Sequence, residues 1–140
     1  MSEIKHGIAW SSDYEIGNAE VDAQHKRLFK LVSDLVVSCM EGRSTETLKE
    51  TLDFLVDYTV QHFGDEESLQ LQYGFPEYET HKQMHDDFKT KVSELVLDFL
   101  DSGSSEELSR DVNKVVVRWL TSHISREDKK IGVHIRKARM

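Results

Sequence analysis

One cysteine, one proline and no long apolar run set the first limits on this chain of 140 residues. A lone thiol closes no internal disulfide and makes neither a zinc cluster nor a redox pair, so Cys39 reads as a small core residue. With so little proline and only seven glycines, few breakers interrupt helical stretches. No apolar run approaches the roughly 20 residues that cross a bilayer, and Met1-Ser-Glu-Ile-Lys-His6 lacks the apolar stretch of a signal peptide. A soluble, cytoplasmic chain with no membrane partner is expected. The basic runs, Lys129-Lys130 and Arg136 to Arg139, are short, and the formal net charge of -8 repels phosphate, which argues against a nucleic-acid partner. No repeat or low-complexity tract appears. At 38% hydrophobic residues the chain holds one good core and is too short for two, so residues 1–140 are read as a single domain.

What the chain does have is a period near 3.5 in four stretches, bounded by breakers, which predicts an all-α fold. The first helix spans 18–41 with a stripe of Val21, His25, Leu28, Val32, Leu35 and Cys39, and stops at Gly42. The second, 45–73, carries Leu48, Leu52, Leu55, Tyr58, His62, Glu66, Leu69 and Tyr73. Pro76 suits the first turn of the third, 76–101, whose stripe is Tyr78, His81, His85, Phe88, Val92, Leu95 and Phe99. Ser104 with Glu107 forms a capping-box pattern ahead of the fourth, 105–131, with Leu108, Val112, Val115, Trp119 and His123. Connections of a few residues favour an antiparallel up-down-up-down four-helix bundle preceded by an irregular N-terminal arm, 1–17.

Polar residues sit on those apolar stripes. A single histidine on such a face is ordinarily a hydrogen-bonded core or boundary residue. Here all five helix histidines, His25, His62, His81, His85 and His123, fall on stripe positions that make up roughly two in seven residues. Glu66 stands where the pattern asks for an apolar side chain, and a buried carboxylate calls for a cation. His62 with Glu66, and His81 with His85, are each one turn apart and can grip a metal from one wall. Asp65 and Glu67 point off the stripe and read as a solvated acidic face. Asp128, five residues after His123, is rotated off the ligand face of a regular helix. Taken alone it reads as a surface acid; a π-type turn would bring it into line, and such turns occur mostly at functional sites.

Seven such side chains exceed one tetrahedral zinc and are poor in oxygen for calcium or magnesium, whereas imidazole mixed with carboxylate suits iron and related metals. Two octahedral ions present about twelve positions; two bridging carboxylates, five imidazoles and a bridging oxygen leave about one open. An open position beside a second redox-active metal is what a small ligand such as dioxygen needs.

Trp10, Gly17, Asp22-Ala-Gln-His25-Lys26, His62-Phe-Gly-Asp-Glu66-Glu67, Tyr73-Gly-Phe-Pro76, His81 with His85, and Trp119 with His123-Ile-Ser-Arg-Glu-Asp128-Lys129 together resemble the hemerythrin family in its single-domain bacterial type. The resemblance covers nearly the whole chain. It implies two iron ions with a bridging oxo or hydroxo group: one ion on His81, His85 and His123, the other on His25 and His62, with Glu66 and Asp128 bridging. It further implies reversible dioxygen binding at the ion held by two histidines, for carriage, storage or delivery, with no catalytic residue. Gln70 departs from the methionine often found after that leucine and bears on local packing only. Leu28, Phe63, Trp119 and Ile124 are candidates for an apolar oxygen pocket that keeps water away, although each serves equally as ordinary core packing.

Two other classes compete. Di-iron oxidases of the ferritin type use paired glutamate-x-x-histidine motifs, and the only such spacing here, Glu3-Ile-Lys-His6, lies outside the bundle. A sensing module acting through a signalling partner is the second; a free-standing bundle favours a carrier that serves an oxygen-consuming protein. A monomer is expected, since no helix shows a long exposed apolar face.

Overall fold

The computed structural model describes residues 10–139. The expected arm is therefore visible only from Trp10 onward, and the Glu3-x-x-His6 spacing lies outside the described residues.

Three long helices, α1 (Ala19–Met40), α2 (Thr45–Gln72) and α3 (Tyr78–Ser102), are followed by a fourth helical rod of five parts. These are α4 (Ser105–Asp111), a π-helical stretch (Val112–Val117), α5 (Arg118–His123), a second π-helical stretch (Ile124–Asp128) and α6 (Lys129–Ala138). The rod runs on to Ala138, past the expected end at 131, because no breaker follows Ile131 except Gly132, which keeps helical geometry under the arm.

Local signals explain the boundaries. Asn18 Oδ1, Ser44 Oγ and Ser104 Oγ accept from the backbone N–H of Val21, Thr47 and Glu107, so α1, α2 and α4 each start under a short polar side-chain cap, whereas α3 has none. Gly42 and Gly74 take φ of 68° and 62°, and the residue after each donates back to the carbonyl five positions earlier, closing α1 and α2 with left-handed caps. Pro76 lies just outside α3 instead of in its first turn. Phe75 C=O accepts from Tyr78 N–H across Pro76 and Glu77, so the fixed φ of proline shapes the turn that delivers the helix.

α1 packs against α2 and α4, α2 against α3, and α3 against α4 and the first π stretch, which closes the four rods into a ring. Phe29, Val32, Leu35, Leu52, Phe88, Leu95 and Val112 fill one end of the bundle. Phe75, Ile131 and Ile135 form a smaller cluster at the other. Each such side chain contributes about 1.5–3 kcal/mol by leaving water. The fourth stripe is shifted from its expected register: Val116 and Leu120 are buried, while Val115 and Trp119 are half-buried at the edge. The wider π stretch Val112–Val117 rotates the residues beyond it about the helix axis.

Candidate metal centre

All seven expected residues meet in one buried cluster between the two apolar layers, none more than 6% exposed. His25 comes from α1, His62 and Glu66 from α2, His81 and His85 from α3, and His123 and Asp128 from the fourth rod. Asp128 arrives through the π stretch Ile124–Asp128: the wider turn swings it back beside His123, whose Nε2 lies 3.0 Å from Asp128 Oδ1. A one-residue widening thus turns an apparent surface acid into a core group that is 1% exposed.

The five imidazoles present Nε2 inward, and the carboxylate oxygens divide them. Glu66 Oε1 lies 3.0 Å from His81 and 3.2 Å from His85, while Oε2 lies 3.4 Å from His25 and 3.3 Å from His62. Asp128 Oδ1 lies 3.0 Å from both His81 and His123, and Oδ2 lies 3.1 Å from His25. Several of these inward atoms, including His25 Nε2, Glu66 Oε2, His85 Nε2 and Asp128 Oδ1, are buried without a hydrogen bond. Buried polar atoms that converge without satisfying one another match the donor set of a cation. The ligand atoms fall into two groups within metal-binding range, Glu66-His81-His85-His123-Asp128 and His25-His62-Glu66. Imidazole nitrogen and carboxylate oxygen in this ratio fit iron.

Outer contacts orient the rings. His62 Nδ1 donates to Gln24 Oε1 at 2.6 Å, and Gln24 Nε2 donates to Asp65 Oδ2 at 3.0 Å. His85 Nδ1 donates to Glu67 Oε2 at 2.9 Å. An Nδ1–H held by an acceptor leaves the Nε2 lone pair facing the cluster. Asp65 and Glu67 are therefore not merely a solvated acidic face. Lying beside the stripe, they reach around α2 to a neighbouring helix, a role that the identity of Gln24, one residue before His25, also hid. Glu67→Gln is expected to weaken metal retention by about 10–100-fold in chelator competition, because a neutral acceptor holds His85 less firmly.

Charge balance holds the cluster together in the absence of a metal. Burial opposes protonation of His25 and His81, but the negative carboxylates of Asp128 and Glu66 facing them outweigh it and raise both to about 9. Burial likewise opposes ionisation of Glu66, yet the imidazoles of His25, His62, His81 and His85 that face it hold it well below the usual carboxylate range. Asp128 is also held low; burial and the charge of Glu66 push it up, and His123 and His25 more than compensate.

Among the pocket candidates, Leu28, Phe63 and Ile124 are buried within the main core and Trp119 is half-buried. Phe63 stacks on His85 with centroids 3.8 Å apart, and Trp119 on His123 at 4.2 Å. Aromatic faces thus cover two of the imidazoles.

A helical bundle closed around five histidines and two carboxylates defines a protein whose core can bind metal. The chain matches the family model described as "Hemerythrin HHE cation binding domain" over residues 17–134. It is 32% identical over 121 residues to the bacteriohemerythrin of Stenotrophomonas maltophilia, covering 86% of this chain and 76% of that one. With the bacteriohemerythrin of Methylococcus capsulatus it shares 33% identity over 111 residues, covering 79% and 82%. A crystal structure of wild-type hemerythrin superposes with a TM-score of 0.82 at 28% identity, covering 91% of this chain and 97% of the other. The chain belongs to the hemerythrin family. Among the described residues, no helix is long and apolar enough to cross a membrane.

Proposed function

We propose that this protein binds dioxygen reversibly at a di-iron centre and serves oxygen carriage, storage or delivery to an oxygen-consuming partner. His81, His85 and His123 would hold one iron and His25 and His62 the other, with Glu66, Asp128 and an oxo or hydroxo group shared between the two. The observation that carries this reading is the division of the carboxylate oxygens. Glu66 Oε1 and Asp128 Oδ1 face histidines of the first set, and Glu66 Oε2 and Asp128 Oδ2 face His25 of the second. When bound, the iron pair supplies the two electrons that a dioxygen molecule borrows and returns.

The residues around it favour return over consumption. Five imidazoles bring no charge, so the shell is less negative than one rich in carboxylates and supports oxidised iron less strongly. Leu28, Phe63, Trp119 and Ile124 keep water and its protons from the bound ligand, so that it leaves unchanged. Gln24 and Glu67 hold His62 and His85 in the tautomer that ligates.

The test is anaerobic loading with ferrous iron, then aeration, then oxygen removal, with spectra and iron analysis at each stage. A visible band that appears and vanishes over repeated cycles, with about two irons retained per chain, is expected. His62→Ala should abolish it. Irreversible oxidation without a reversible band, or a stoichiometry of one, overturns the reading.

A further inference from the structure

A groove of about 600 Å³ runs between α3 and the outer face of the fourth rod, and His123 lines it. Its rim carries Lys91, Lys114, Arg118 and Arg126, all exposed. Elsewhere on the surface, Lys30, Lys49, Lys82 and Arg110 each pair with an acid one turn away. None of the four rim cations forms an ion pair among the described residues. The one carboxylate lining the groove, Glu127, pairs outward with Lys130 at 3.2 Å. The concentration of positive charge is regional, since residues 105–140 hold nine Lys and Arg against five Asp and Glu in a chain whose net charge is -8.

We propose that this groove docks an acidic one-electron donor protein that returns the metal pair to its reduced form, an inference that rests on the di-iron reading above. Four cations without an ion-pair partner among the described residues are complementary to an acidic surface and would steer it. From Lys114 to Arg126 the stripe is about 15–18 Å long at helical rise. That length suits a protein surface of the small, transient kind better than a single phosphate. The groove is also where solvent comes nearest the cluster. His123, at 6% the most exposed of the seven residues, stacks on Trp119, and Trp119 stacks on Phe88 at 4.1 Å. A donor seated there is separated from a ligating imidazole by one aromatic ring, and electron transfer weakens steeply with distance.

The chemistry requires such a supply. A centre that loses its oxygen in reduced form is left with two ferric ions and cannot bind again. Two donor molecules, each oxidised by one electron, restore two ferrous ions. Any proton needed at the bridging oxygen comes from solvent, and no covalent bond of the protein changes.

The test uses the iron-loaded full chain, oxidised and then mixed with reduced plant-type [2Fe–2S] ferredoxin, an acidic, strongly reducing one-electron carrier. Wild type is compared with the double variant Lys114→Glu/Arg118→Glu, whose positions are exposed. The rate with ferredoxin should fall at least 10-fold in the variant and should fall steeply with salt in wild type. Reduction by a neutral hydroquinone should be unchanged. Calorimetric titration with oxidised ferredoxin at low salt should show weak binding to wild type and none to the variant, with or without iron. Equal ferredoxin rates overturn the proposal, as does a charge effect confined to a small anionic reductant such as reduced flavin mononucleotide. A reversible oxygen band in both proteins keeps the two readings separable: its loss counts against the di-iron reading, while calorimetry still decides the docking.

Discussion

Glu66→Ala should reduce bound iron from about two per chain to less than one and destabilise the metal-free protein by about 3–5 kcal/mol. Four imidazoles share this one carboxylate, His81 and His85 at Oε1 and His25 and His62 at Oε2, in an interior where Glu66 is 1% exposed. In the loaded protein its removal takes one oxygen from each metal group at once, so loss of either ion weakens the hold on the other. In the metal-free protein the same change strips the negative charge that helps raise His25 and His81 to about 9. Losing one partner of a buried charged set leaves the others uncompensated, which is why the cost exceeds that of an ordinary hydrogen bond. Metal analysis and urea unfolding of chelator-treated protein measure the two effects separately. A variant that retains two irons would show that Glu66 does not bridge.

The same charges give the metal-free protein a distinctive pH dependence. His25 and His81, raised above the ordinary 6.5, contribute stability that is complete below about pH 6.5 and is lost as the pH climbs through about 9. Glu66 and Asp128 are lowered, so their contribution is present above about pH 4 and is lost in acid. Metal-free wild type should be most stable from mildly acidic to neutral pH and weaken toward pH 10. In Glu66→Ala the alkaline decline should be reduced but not abolished, because Asp128 still faces both His25 and His81.

How much of this could be read from the chain differs by residue. Helix spacing alone places His25, His62, Glu66, His81, His85 and His123 on core stripes, because one periodic rule governs both apolar packing and inward-facing ligands. Asp128 breaks that rule, and its place depends on a π stretch that no single residue announces. The same kind of widening moved the fourth stripe from Val115 and Trp119 to Val116 and Leu120. Glu67 and Gln24 were hidden for another reason. Their partners, His85 and His62, lie 18 and 38 residues away, and flanking positions on a helix carry no signal of what stands across the groove. Gln70 shows the limit of polarity as a guide: it is fully buried and Leu69 only half-buried, although the pattern favours the leucine.

Gly132→Ala carries the second large effect, an expected loss of about 3 kcal/mol or more with release of the N-terminal arm. Gly132 sits one turn beyond Asp128 on α6, where an added Cβ would stand 1.8 Å from the carbonyl oxygen of Ile16 and 2.8 Å from its carbonyl carbon. Backbone cannot yield as the end of a flexible side chain can. Ile16 is fixed by its N–H, which donates to Asp22 Oδ1 at 2.8 Å, by the neighbouring Gly17 N–H to Oδ2 at 3.3 Å, and by its own side chain, 3% exposed. Either α6 lifts, pulling on the π stretch that presents Asp128, or the arm leaves. Departure of the arm forfeits the burial of Ile16, about 1.5–3 kcal/mol, together with two bonds to a charged acceptor. Denaturant unfolding measures the cost, and faster exchange of the Ile16 and Gly17 amides reports the detachment. Gly64→Ala is the control, since a Cβ there meets nothing within 4 Å inside α2 and should stabilise by about 0.5–1 kcal/mol. If Gly132→Ala changes stability no more than that control, the close approach of Ile16 to α6 does not hold the arm.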